Sequence, residues 1–305
     1  MMIISVSKRT DIPALYGDWF VRRLEEGFVY SVNPYNEKQV KNISLKKEDV
    51  TAFVFWSKNP QAFMKHLDKL DEYTYYFQYT LTPYGKDLEK HLPNKETLIE
   101  TFISLSKKIG KEKVIWRYDP IILTDTYTMK KHIGLFDEYC ERLAPYTEKV
   151  VISFVDEYVK NKETFRALNI RELKTIEMHV LTDAFSKIAK KHGLEIETCA
   201  EAIDLGAYGI NKTKCIDEGL IARLSGKTVI YEKDLYQRNE CLCMKAIDIG
   251  SYDTCVLGCK YCYAVKRKDV SLKNYKNHDV LRKTLLDVEI DEDIRETKKE
   301  RTLFD

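Results

Sequence analysis

The 305-residue chain lacks a dominant charge. Its 50 lysines and arginines face 48 aspartates and glutamates, and the net charge of +2 carries no strong nucleic-acid footprint. Nucleic acid is therefore neither implied nor excluded. The chain also lacks an apolar run as long as a membrane span. Its start, MMIISVSKRTD, has no charged leader, apolar core or small-residue cleavage site of the kind a signal peptide carries. A cytoplasmic protein with no membrane partner is expected. No internal repeat, low-complexity stretch or Pro/Gly/Ser-rich linker breaks the sequence. With 44% apolar residues it can bury one large core, so a single domain is expected over residues 1–290, with a polar tail at 291–305.

Cysteine is what the chain does have. Eight thiols in a cytosolic protein need an explanation, since disulfides there are rare. Seven of the eight fall after residue 198, which points to metal. Cys140 stands apart in the helical pattern IGLFDEYCERLAPY and reads as a small buried thiol.

Short runs rich in β-branched and aromatic residues predict strands: MIISVS (2–7), TAFVFWS (51–57), YTYYFQYTLT (73–82), KVIWRYD (113–119), KVVISFVD (149–156), GLEIETC (193–199) and KAIDIG (245–250). Between them YGDWFVRRLEEGF, PQAFMKHLDKL, KETLIETFISLSKKIG and IEMHVLTDAFSKIAKKHG have helical spacing. Alternating strands and helices favour an α/β fold with a parallel sheet, here a partial or full TIM-type (β/α) barrel. An open doubly wound sheet is the alternative. Sites in such folds gather at the C-terminal ends of strands. The strand exits carry Lys8, Arg9, Thr10 and Asp11, then Ser57, Lys58 and Asn59, then Thr80 and Thr82. Further along they carry Arg117, Tyr118 and Asp119, Ser153 and Asp156, and Cys199 with Glu201. Each taken singly reads as a helix cap or surface salt bridge; together they predict a ring.

The segment YDTCVLGCKYCYA (252–264) places Cys255, Cys259 and Cys262 at C-x3-C-x2-C after a predicted strand. Thiolates on one short loop can hold three irons of a cubane and leave the fourth open. A zinc knuckle would need a fourth ligand nearby and usually shows paired C-x2-C halves. Cys199, Cys215, Cys241 and Cys243 make a further set of four. That is the number for a second iron-sulfur cluster or a closed zinc site, and unrelated thiols are the third reading. Cys241 and Cys243 precede a predicted strand and so belong at the opposite end of the sheet, unless ECLCMKAIDIG loops before entering it.

The cysteine loop resembles the signature of the radical S-adenosylmethionine superfamily, with the aromatic Tyr261 before the last cysteine. That resemblance implies a 4Fe-4S cluster on Cys255, Cys259 and Cys262 with S-adenosylmethionine bound at the open iron. It implies a 5'-deoxyadenosyl radical that abstracts hydrogen from a substrate, and an electron donor such as flavodoxin or ferredoxin. In most members the loop follows the first strand; here it follows the last, within a C-terminal cluster-binding segment at 241–265. A circular permutation accounts for that order, with KAIDIG as the family's first strand and MIISVS as its second. VSKRTDIPALY and VFWSKNP then resemble segments of spore photoproduct lyase relatives, and YTLTPYG and WRYDPII do so more weakly. Taken whole, the chain is similar to a bacterial family known as domain of unknown function 1848, with the same SVSKRTDIP start, WRYDP centre and CKYCYA close.

By position the resemblance puts Thr10, Asp11 and Tyr261 among the cofactor-binding residues, with Lys58 or Arg117 for the carboxylate of S-adenosylmethionine. The Gly-Gly-Glu segment common in the superfamily is absent. The substrate class stays open among small molecule, peptide and nucleic acid. A different class of function is a zinc-stapled nucleic-acid-binding protein using the basic run VKRKDVSLKNYKN, although such a run is more often a solvated face.

Overall fold

The computed structural model describes residues 2–157, 161–288 and 296–297. The chain begins with strand β1 (Met2–Val6), helices α1 (Ile12–Leu15) and α2 (Gly17–Glu26), and strands β2 (Phe28–Asn33), β3 (Asn36–Ser44) and β4 (Val50–Ser57). A 3-10 stretch (Pro60–Leu70) leads to β5 (Tyr75–Thr80), α3 (Lys95–Ile109), β6 (Val114–Ile121), α4 (Met129–Leu143) and β7 (Lys149–Phe154). There follow α5 (Lys162–Ala167), α6 (Thr175–Lys191), β8 (Glu195–Thr198), β9 (Asn211–Lys212), α7 (Glu218–Ser225), β10 (Ile247–Asp248), α8 (Lys268–Lys276) and β11 (Glu296–Thr297). Apart from Glu296–Thr297, which pair with β3, the expected tail at 291–305 lies outside the described residues.

Eight strands form one sheet in the order β10-β1-β4-β5-β6-β7-β8-β9, and every neighbouring pair is parallel. The βα alternation enforces this, because a parallel partner can be reached only by a crossover. All seven predicted strands are present. The strand nearest the C-terminus of this sheet, β10, lies beside the first, with Ile4 opposite Ile247 and Ser5 opposite Asp248. That adjacency is the one the permuted order requires. The edge strands β9 and β10 are not paired with each other among the described residues, so the sheet is an open parallel one rather than a demonstrated closed barrel.

Successive strand residues alternate between faces, and both faces are buried, which is why these strands read as nearly continuous apolar runs. On one face Phe53, Phe55, Phe77 and Trp116 pack with Phe20, Phe102 and Phe136 from the helices. On the other Ile3, Ala52, Val54, Tyr76, Ile115 and Val151 meet Ile216, Leu220, Ile221 and Met244. This second core is built by the segment around α7, which fills the sheet's other face. Cys140 of α4 is fully buried.

Some elements differ from expectation. PQAFMKHLDKL winds as a 3-10 helix, with Pro60, Phe63, Leu67 and Leu70 buried. Its apolar residues recur every three to four positions, a spacing that does not separate the two windings. Strand β2, FVYSVN, carries β-branched and aromatic residues but is not among the expected strands, while its antiparallel partner β3 and the short strand β9 are mostly polar and give no strand signal.

A cysteine-lined cavity at the strand exits

At the C-terminal ends of the central strands lies a cavity of about 470 Å³. All seven cysteines beyond residue 198 line it: Cys255, Cys259 and Cys262 from one loop, and Cys199, Cys215, Cys241 and Cys243 from three others. The loop reading of ECLCMKAIDIG is the one realised. Cys241 and Cys243 stand on the same face as the rest, and β10 begins only at Ile247.

The three-cysteine loop is held from several sides. Gly258 adopts a left-handed backbone (φ 75°), and a Cβ there would lie 2.7 Å from the His91 ring. Leu257 O accepts from His91 N at 3.1 Å, and Lys260 N donates to Leu88 O at 2.9 Å. Helix α8 braces the other side. Ser271 donates to Cys255 O at 2.5 Å and Asn274 to Asp253 O at 2.9 Å, while Tyr16 donates to Thr254 O at 2.6 Å. The basic run of the sequence is therefore a buttress with its lysines turned to solvent. Burial raises the Cys255 thiol to about 12, and the neighbouring Cys262 adds to this, while N–H groups of Leu257 and Asp11 pull the other way. Burial likewise raises Cys259, against the pull of Lys58.

Behind this loop sits Glu89, buried and without any signal in the sequence. One carboxylate oxygen accepts from Lys58 Nζ at 2.7 Å, from Thr82 Oγ1 at 2.8 Å and from the Tyr261 hydroxyl. The other accepts from Lys95 Nζ. Burial alone would raise this carboxyl, but Lys58 and Lys95 outweigh it and hold it down to about 2. Burial lowers Lys58, yet Glu89 and Cys259 leave it above its ordinary value. Lys58 also donates to the Tyr261 hydroxyl at 2.9 Å, so its charge is spent within the protein.

The other expected residues divide similarly. Asp11 caps α1 through Ala14 N (3.0 Å) and accepts from Lys58 N (2.7 Å), so both oxygens are occupied; burial pushes its carboxyl up despite these bonds. Arg117 donates to Asp119, to Gln78 Oε1 at 3.3 Å and to Cys215 Sγ at 2.9 Å. Asp119 is completed by Ser153. Thr10 is different: its buried hydroxyl has no partner among the described residues, and the residue lines the cavity. Arg9 is different too, with its guanidinium 3.4 Å from Gly250 O and over the Tyr252 ring, and no carboxylate partner among the described residues. Ser57, Thr80, Asp156 and Glu201 line the cavity as well. Asn59 and Thr82 do not, and Tyr118 is packed in the core against His132 and Phe136.

The second cysteine set forms a chain of contacts. Cys199 and Cys215 sulfurs are 2.9 Å apart, and Cys215 N donates to Cys243 Sγ at 3.2 Å. A hydrogen bond from Cys243 draws Cys241 down to about 7 even though burial opposes it. Among the described residues no three His, Cys, Asp or Glu side chains gather closely enough to hold a single metal ion.

Fold and site together define a parallel α/β protein with a cysteine-rich cavity at its strand exits. The chain belongs to the family described as Domain of unknown function (DUF1848), whose model matches residues 3–264. The match takes in the whole cavity wall from Ser7 to Ala264. A comparison with curated proteins found no match. No helix among the described residues is long and apolar enough to cross a membrane.

Proposed function

We propose that this protein is a radical S-adenosylmethionine enzyme whose cluster is held by Cys255, Cys259 and Cys262. The observation that carries the reading is that three thiols on one braced loop open into a cavity at the strand exits. The donor set fits the group: three thiolates satisfy three irons of a cubane and leave the fourth for a small chelating ligand. Thr10 lies on the same wall, with its buried hydroxyl unpartnered among the described residues. When bound, the cluster would supply one-electron reduction of S-adenosylmethionine, whose 5' carbon–sulfur bond would break to give methionine and a 5'-deoxyadenosyl radical for hydrogen abstraction.

The chain's own residues bind and orient. Lys58 and Arg117 are committed to Glu89 and Asp119, so they act as framework cations beneath Cys259 and Cys215. Arg9 is the residue we assign to the ligand's carboxylate, because it lines the cavity and its guanidinium has no carboxylate partner among the described residues. Tyr261 holds its hydroxyl on Glu89 and its ring edge against Tyr84 at 5.7 Å, which fixes the loop between Cys259 and Cys262.

Reconstitution with iron and sulfide under anaerobic conditions tests this. The reading expects a brown protein whose reduced cluster changes its electron paramagnetic resonance spectrum on addition of S-adenosylmethionine. A colourless protein with stoichiometric zinc and strongly salt-dependent nucleic-acid binding would instead favour the zinc-stapled binding protein.

A further inference from the structure

We infer that Cys199, Cys215, Cys241 and Cys243 hold a second iron-sulfur cluster, fully ligated by protein, in the same cavity as the three-cysteine loop. This deepens the proposed function by giving its cavity a second redox centre. The inference stands on the convergence of three separate segments. Cys199 leaves β8, Cys215 follows β9, and Cys241 and Cys243 lie in the loop before β10, yet Cys199 Sγ meets Cys215 Sγ, Cys215 N donates to Cys243 Sγ, and Cys243 is hydrogen-bonded to Cys241.

Buried cysteines packed as small apolar groups need no ions beside them. These four have two. The Arg117 guanidinium donates to Cys215 Sγ at 2.9 Å, and Lys8 lines the same cavity as all four sulfurs. Cations beside sulfur favour thiolates, and four thiolates around a cubane give a net negative group that such cations balance. N–H groups aimed at ligand sulfurs, here from Arg117 and from Cys215 N to Cys243, also tune the potential of an iron-sulfur cluster.

Structural zinc sites are closed four-coordinate knots, whereas this set opens onto the shared cavity. A cubane takes one thiolate per iron, so its ligands need not meet at a point. Binding it requires the Cys199 and Cys215 sulfurs, now 2.9 Å apart, to part and face separate irons. Assembly is a ligand exchange with no net redox change: four Fe–S(Cys) bonds form to a preassembled ferrous–ferric cluster, its four exogenous thiolate ligands leave, and the protons lost by the four cysteine thiols go to those leaving groups.

The test uses the full chain with Cys255, Cys259 and Cys262 all replaced by alanine, reconstituted anaerobically with iron and sulfide. The inference expects about four irons and about four sulfides per chain in this variant against about eight of each in the wild type. The residual cluster's electron paramagnetic resonance signal should not respond to S-adenosylmethionine, since no iron is left open. Adding Cys199→Ser and Cys243→Ser to the triple variant should remove the remaining iron, while circular dichroism checks that the chain still folds. Residual zinc without sulfide, or no metal in a folded triple variant, overturns the inference. Those outcomes leave the proposed function standing, because the latter depends on the three replaced cysteines alone.

Discussion

Glu89 lies between two lysines, and neutralising it leaves both buried cations without a counter-ion. Glu89→Gln should cost about 3–5 kcal/mol in urea denaturation at neutral pH, the range for breaking a buried pair from one side. The pH dependence follows from its carboxyl being held at about 2 against an ordinary 4.5. A depressed carboxyl contributes stability that is fully present above 4.5 and is lost as pH falls through about 2, so the gap between wild type and variant should close across that window. A gap independent of pH would remove Glu89 from this role. At the cavity wall, Arg9→Ala should weaken S-adenosylmethionine binding roughly tenfold, the loss of one charge-assisted bond, and leave iron content unchanged. Isothermal titration of the reconstituted protein reads both the affinity and its contradiction, an unaltered constant. The grouping of Cys255, Cys259 and Cys262 at one wall of the cavity was legible from spacing alone because all three stand on one short loop. Glu89 was not, since it gains its meaning only from Lys58, 31 residues away in the chain.

The loop and its braces make the next scale. Gly258→Ala should cost about 1–3 kcal/mol and reduce iron retention, because the left-handed backbone is strained for alanine and the new methyl meets His91. Gly134→Ala is the control. Gly134 sits exposed inside α4 with nothing within 4 Å of a Cβ, and alanine there should stabilise by about 0.5–1 kcal/mol without touching iron content. Equal loss of iron in both variants would show that the loop's geometry is not what holds the metal. The central strands were legible because they are buried on both faces, as in Phe53–Phe55 of β4 and Val114–Tyr118 of β6. Strand β3, with polar residues such as Lys38, Gln39 and Lys41, gave no alternation to read, and α7 became recognisable only once the second face of the sheet was seen to need filling.

Over the whole molecule, the position of β10 beside β1 brings residues 240 apart into one site. Asp248 accepts from Ser5 Oγ (2.7 Å), Ser7 Oγ (2.5 Å), Lys8 N (2.8 Å) and Gly250 N (2.9 Å), tying the late strand to the first and the cysteine loop to the Thr10 wall. The late position of the cysteine loop was readable in the sequence, whereas the shared cavity of all seven cysteines needed the fold. Reductive cleavage of S-adenosylmethionine in this cavity, as proposed, is tested most directly by chromatographic quantification of 5'-deoxyadenosine after anaerobic incubation of reconstituted, dithionite-reduced protein with S-adenosylmethionine. Time-dependent 5'-deoxyadenosine formation is expected, abolished in each of Cys255→Ala, Cys259→Ala and Cys262→Ala; an iron-loaded, reduced wild-type protein that forms none would rule the proposed activity out.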